Sequence, residues 1–261
     1  MIHTGNDGIS RSIDLNCDFG EGYGAYTFGQ DETLLNYVTS VNIACGFHAG
    51  DPHTIREAVS RAVQAGVAVG AHPGLPDRLG FGRREIALSP SEVYEITLYQ
   101  IGALDAFVRA SGSKLKHVKP HGALYHMAGG QASIAEAFVQ AVRAYDSQLK
   151  IYGQSGSLLL AEAQKQGLSK VSEVFADRAY IRGGQLAPRR SPGAVLSSPE
   201  AALQQTLYML KHNKVRTLEG EEAAITAETV CLHGDGEHAG QFAAALRNGL
   251  AGAGIVLQPP S

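Results

Sequence analysis

Cysteine is scarce: Cys17, Cys45 and Cys231 are the only three. An odd number of widely spaced thiols writes neither a disulfide framework nor a CxxC metal knuckle, so reduced and mostly buried thiols are expected. Long apolar runs are missing too. Nothing approaches the roughly 18 residues of a membrane span, and the segment from Met1 to Ser12 has neither a basic start nor an apolar h-region, so a cytoplasmic location is expected. Excess positive charge is also absent: 22 Lys and Arg stand against 25 Asp and Glu, for a net charge of -3 and a pI near 6.4. With no Lys/Arg run, neither nucleic acid nor an anionic membrane is expected as a partner. No GxxxxGK[ST] loop and no GxGxxG after a strand occurs, so motifs do not locate a nucleotide site, and no HxxxH or HExxH fixes two metal ligands on one helix.

What is present is a chain of 261 residues, 44% apolar. Single α/β barrels commonly run to about 250 residues. We read residues 1–12 as a polar N-terminal arm and 13–261 as one β/α-barrel domain. Short β-prone runs alternate with longer helical segments, which marks repeated βα units. Seven strands are expected, at Ser12–Asn16, Ser40–Cys45, Val67–Ala71, Leu115–Lys119, Leu149–Tyr152, Glu173–Ala176 and Thr229–Leu232. Asp51-Pro52 and Ser198-Pro199 place a capping side chain before a first-turn proline. Ser89-Pro90-Ser91-Glu92 writes a capping box. Gly66, Gly112 and Gly167 fall where helices want a left-handed C-cap. The run Gly254 to Gln258 reads either as an eighth strand or as a strap. Two connections, Pro73 to Leu88 and Asp177 to Ser197, exceed ordinary turns, and loops of that length in a compact domain are commonly functional lids or disordered segments. Each follows a strand, on the face where such barrels keep their active sites.

Ionisable residues gather at those strand ends. Asp14, Asn16 and Asp18 share one face if the first strand stays extended. His48, His72, Lys119 and His121 follow at the ends of strands two to four, Asp177 and Arg178 after strand six, and His233 and Asp235 after strand seven. Each has a bland reading: Asp51 serves a helix cap or a site equally well, and His53, His126, His212 and His238 read as structural. Barrel closure brings separate strand ends into one pocket, and buried ionisable groups cost free energy unless paired. Together, Asp14, His48, His72, Lys119, His121, His233 and Asp235 therefore point to a shared functional pocket.

The same stretches resemble the LamB/YcsF family. They are IDLNCDFGE (13–21), VNIACGFHAGD (41–51), VAVGAHPGLPDRLGFGRR (67–84), LYQIGAL (98–104), HVKPHGALY (117–125), EVFADRAY (173–180) and TVCLHGDGEHA (229–239). The resemblance implies a distorted seven-stranded β/α barrel, TIM-like and of the glycoside hydrolase/deacetylase type. It further implies ATP-dependent opening of 5-oxo-L-proline to L-glutamate, ATP serving as co-substrate, in a complex with the B and C subunits of a 5-oxoprolinase. On that reading Asp14, Asp18, His48, His72, Lys119 and His121 are the catalytic candidates: a carboxylate activates water, a histidine protonates the departing nitrogen and Lys119 stabilises developing negative charge. Asn16, Arg83, Asp177, Arg178, His233 and Asp235 are candidates for binding substrate or phosphate. Two readings compete. One is a metal-dependent, deacetylase-like amide or carbohydrate hydrolase with Asp14, His48 and His72 around a divalent ion. The other is a non-catalytic component that binds substrate or scaffolds the complex. A divalent metal thus enters either as Mg with ATP or as a site ion.

Overall fold

A computed structural model describes residues 12–26, 31–232 and 239–261. His233, Asp235, His238 and the N-terminal arm up to residue 11 lie outside the described residues. Seven parallel strands form the barrel: β1 (Ser12–Phe19), β2 (Ser40–Ala44), β3 (Ala68–His72), β4 (His117–Val118), β5 (Lys150–Gln154), β6 (Lys170–Phe175) and β7 (Thr229–Leu232). Each pairs with the next, and β7 pairs back onto β1 with Asp14 beside Thr229 and Cys17 beside Leu232. The expected seven strands are all there, with shifted ends. β1 runs on to Phe19, whereas β4 shrinks to two residues, since Pro120 has no N–H to extend the ladder. Isolated bonds carry the pairing past β4, from Lys119 N–H to the Ala71 carbonyl and from His121 N–H to the Pro73 carbonyl.

The helices begin where the sequence signals them. Asp51 caps Pro52–Gln64 by accepting from the His53 and Thr54 amides, the capping role of its two readings. Ser89 and Glu92 complete the capping box of Pro90–Ala110, and Ser198 caps Pro199–His212. Gly66, Gly112 and Gly167 all have positive φ. The remaining long helices are Gly122–Gly130, Ala132–Tyr145, Leu158–Lys165 and Ala239–Gly252, whereas among the described residues the unit after β1 shows the short Asp31–Leu34. Val256–Leu257 lies parallel to Ser12–Ile13, outside a ring that β7 and β2 already close, so the last apolar run is a strap and not an eighth barrel strand. Two antiparallel hairpins go beyond the sequence reading, Tyr180–Ile181 with Gln185–Leu186 and Lys214–Arg216 with Glu222–Ala224.

Side chains alternate along the strands, and here the alternation separates two chemistries. Leu15, Cys17, Val41, Ile43, Val69, Ile151, Val174 and Val230 point outward and pack beneath helix residues such as Ile55, Leu104, Val108, Phe138 and Leu246 in one large core. The alternate positions Asp14, Asn16, Asn42, His117, Glu173 and Thr229 are buried within the ring, so this lumen is polar where such barrels usually stack branched aliphatics. Gly70 makes the lumen fit. A Cβ there would stand 2.1 Å from His117 Nε2 and within 2.4 Å of two further ring atoms. Gly70→Ala is therefore expected to cost about 1–3 kcal/mol through overpacking. Urea unfolding reads this directly, and an unchanged midpoint would mean that the His117 ring has room to move.

Candidate active site

The lumen is layered. At the N-terminal end, Asp14 accepts from Thr39 Oγ1 at 2.6 Å, Ser40 Oγ at 2.8 Å, Thr229 Oγ1 at 2.6 Å and Tyr152 OH at 3.1 Å. Burial raises the pKa of this carboxyl, and the hydroxyls work against the rise. At about 3.3 Å per residue, Asp14 sits about 13 Å below Asp18 on the same strand. The structure therefore does not bring Asp14 to the strand-end histidines.

One layer up, Asn42 donates to Asn16 Oδ1 at 2.8 Å, Asn16 donates to Glu173 Oε1 at 3.0 Å, and His117 Nε2 lies 2.8 Å from Asn42 Oδ1 while its ring stacks on Tyr152. Burial, with Lys119 and His72 nearby, drives His117 down to about 3. Asn16 thus braces the strands and does not line the cavity.

Above this layer Lys119 Nζ reaches across the ring to Glu173 Oε1 at 2.8 Å, Cys231 Sγ at 3.1 Å, Asp18 Oδ1 at 3.2 Å and Asn16 Oδ1 at 3.3 Å. Burial alone would push this lysine down, but the charges around it, Asp18 foremost, hold it well above its ordinary value. Burial also keeps the Cys231 thiol protonated. Tyr125 OH donates to the second Glu173 oxygen at 2.8 Å.

The top layer holds the remaining histidines. His72 Nδ1 lies 2.8 Å from the Lys119 carbonyl and His121 Nε2 lies 2.8 Å from the Phe81 carbonyl. Their other nitrogens face each other at 3.0 Å. His48 stacks on His121 with centroids 3.7 Å apart, and Glu21 Oε1 lies 3.4 Å from His48 Nε2 and 3.5 Å from His121 Nδ1. Glu21, His48, His72 and His121 each offer one ligand atom within 4.8 Å of the others, a group able to hold a metal ion. Gly20, at φ 66°, breaks the strand alternation and turns Glu21 toward this group. The loop after β3 seals the flank with Phe81 and Gly82, both left-handed. A Cβ on Gly82 would stand 2.7 Å from His48 Cβ, so no larger residue fits.

Asp18, His72, Lys119 and His121 open onto a cavity of about 370 Å³, with Tyr125, Phe175 and the amino end of helix Gly122–Gly130 along its wall. Arg83, His126 and Arg189 stand around it. Arg178 also lines it, but its guanidinium donates to the Ala187 carbonyl at 2.6 Å and the Ala194 carbonyl at 3.3 Å, fastening the loop after β6. Asp177 is buried at the start of that loop, where its carbonyl receives the Leu196 amide; it does not line the cavity. Neither does His48, which lies behind His121. Sequence reasoning missed three side chains of this cluster. Glu173 is announced by an ionisable residue inside a buried strand, and Tyr125 by its place one helical turn beyond His121. Glu21, off the strand's phase, carries no such signal.

Residues 13–261 match the model of the LamB/YcsF family. A Geobacillus kaustophilus protein, named as the A subunit of 5-oxoprolinase, is 54% identical over 250 residues, 96% of this chain and 97% of that one. Its Bacillus subtilis counterpart of the same name is 50% identical, over 93% of this chain and 95% of that one. The crystal structure of a lactam utilization protein from Thermus thermophilus superposes with a TM-score of 0.90 at 49% identity, covering 95% of this chain and 99% of that one.

Two outcomes are expected. Removing the lysine charge in Lys119→Met leaves Glu173 and Asp18 facing each other without a cation and should destabilise by about 3–5 kcal/mol. Adding Glu173→Gln should restore part of that loss in chemical denaturation. The second outcome concerns pH. A histidine in the unfolded chain takes up its proton near 6.5, and His117 does so at about 3 when folded. Its contribution to stability is complete above pH 6.5 and declines as pH falls toward 3, by about 1.4 kcal/mol per pH unit. Asp51 and Asp77, both held at about 2, lose theirs only further into acid. In His117→Gln the slope of unfolding free energy between about pH 6 and 4.5 should fall by about one proton; an unchanged slope would assign that proton elsewhere.

Proposed function

The chain belongs to the LamB/YcsF family, and from that premise we propose that it is the A subunit of an ATP-dependent 5-oxoprolinase, opening 5-oxo-L-proline to L-glutamate. The observation that carries the reading is a charged, buried Lys119 beside Asp18, His72 and His121 on the wall of a cavity of about 370 Å³. The chain around it is 54% identical, over 96% of its length, to a protein that bears the A-subunit name.

A five-membered lactam holds its amine and acyl carbon at effective molarities of about 10⁵ M or more, so ring closure is favoured and opening needs coupling. Transfer of the ATP γ-phosphoryl group to the lactam oxygen gives an activated imidate; water adds at carbon, cleavage of the C–N bond frees the amine and leaves an acyl phosphate, and a second water converts this to the carboxylate and phosphate. Lys119, compact and already charged, suits the oxygen on which negative charge develops. Asp18 accepts the proton of the attacking water and returns one to the departing nitrogen. Arg83 and Arg189 are suited to the substrate carboxylate or a phosphoryl oxygen, since a planar guanidinium pairs with either. Arg178 acts through the loop it fastens. With no phosphate-binding loop in this sequence, the nucleotide is assigned to the B and C subunits.

The test is reconstitution. Glutamate and ADP should form together only when the chain is combined with its B and C partners, and the chain alone should give neither. Asp18→Asn should lower kcat at least about a hundredfold, and Arg83→Ala should raise KM chiefly. Full turnover by the Asp18→Asn complex would remove Asp18 from the chemistry, and turnover by the isolated chain would overturn the division of labour.

A further inference from the structure

Two backbone carbonyls decide the state of the top histidines. To donate to the Lys119 carbonyl, His72 must carry its proton on Nδ1; to donate to the Phe81 carbonyl, His121 must carry its proton on Nε2. Each neutral ring then has a lone pair on its other nitrogen, and these two lone pairs meet at 3.0 Å. Glu21 Oε1, an acceptor, lies 3.5 Å from one of them, and Asp18 Oδ1, another acceptor, lies 3.3 Å from His72 Nε2. Four acceptors converging on one buried point repel unless a cation occupies it. His48 adds an independent observation: it is 1% exposed, and neither ring nitrogen has a hydrogen-bond partner among the described residues.

We propose that Glu21, His48, His72 and His121 bind one divalent transition-metal ion of the zinc class, with His72 and His121 presenting it to the cavity. The spacing supports this. Ligands about 2.0–2.1 Å from a tetrahedral zinc lie about 3.3 Å from one another; three of the six edges here measure 3.0, 3.4 and 3.5 Å, and all lie within 4.8 Å. Three imidazoles and one carboxylate suit zinc, cobalt or iron, and exclude the all-oxygen shells that magnesium and calcium prefer. Ligand histidines commonly donate their second N–H to a carbonyl, which fixes the tautomer and raises basicity. His72 and His121 both do so. Such an ion would polarise a carbonyl or phosphoryl oxygen entering the cavity. The existence of the site is independent of the lactam-opening reading, and only this last role rests on it.

Chelator-stripped protein titrated with Zn²⁺ and with Co²⁺ provides the test, read by calorimetry, by elemental analysis after dialysis and by the visible spectrum of the cobalt form. One ion per chain is expected, with the visible bands of nitrogen-ligated cobalt and a raised Tm. His72→Gln and His121→Gln should each weaken binding at least about a hundredfold, while His212→Gln, on a surface helix, should bind as the parent does. Should a glutamine variant fail to fold, ¹⁵N shifts of the parent's own imidazoles serve instead. His72 Nε2 and His121 Nδ1 should move on zinc addition while their partner nitrogens stay protonated. Absence of stoichiometric uptake by the parent, or equal uptake by both variants, overturns the proposal. Glutamate formation by a reconstituted complex that takes up no metal would sink the metal site and leave the lactam reading standing. Stoichiometric uptake in a complex without lactam turnover would do the reverse.

Discussion

The ammonium of Lys119 organises the interior of this protein. It rises from the end of β4, crosses the lumen, and meets Glu173 of β6, Cys231 of β7 and both Asn16 and Asp18 of β1. A charge taken out of water is tolerated only when paired and hydrogen-bonded, and here one cation satisfies groups on three other strands. The polar layers beneath it follow the same logic. Asn16 donates its amide hydrogens to Glu173 and Thr229, and Thr229 donates its hydroxyl hydrogen to Asp14. A lumen built this way tolerates little substitution, because deleting one donor strands the acceptors above and below it.

The sequence discloses the architecture well because local signals and long-range fold agree. Asp51, Ser89 and Ser198 cap where they are written to cap. The period-two spacing of Asp14, Asn16 and Asp18 correctly puts all three on one face. What spacing does not reveal is depth. Residues that share a face of an eight-residue strand range from the floor to the rim of the barrel, so Asp14 and Asp18 have the same signature and different surroundings. Glu21 is hidden for another reason: the left-handed turn at Gly20 resets the phase, and nothing in the residue order says toward which side. Arg178 shows a third limit, since a loop arginine reads as an anion binder until the carbonyls it already serves are in view.

The two long connections also divide in kind. The loop after β3 presses glycine backbone and the Phe81 ring against His48 and His121, with Phe81 held at φ 54°. Left-handed backbone at a bulky residue costs of order 1–3 kcal/mol and persists where its surroundings over-determine it. The loop after β6 gains its order from a short hairpin and from the Arg178 guanidinium. One loop thus shapes the histidines, and the other walls the cavity.

The buried floor of the lumen carries a consequence for traffic. Asp14, Ser40 and Thr229 close the lower end with hydrogen-bonded side chains that solvent does not reach. Among the described residues the floor of the cavity is shut, and the cavity opens at the strand ends. Whatever enters from the strand ends therefore leaves past them again, since this floor offers no second exit.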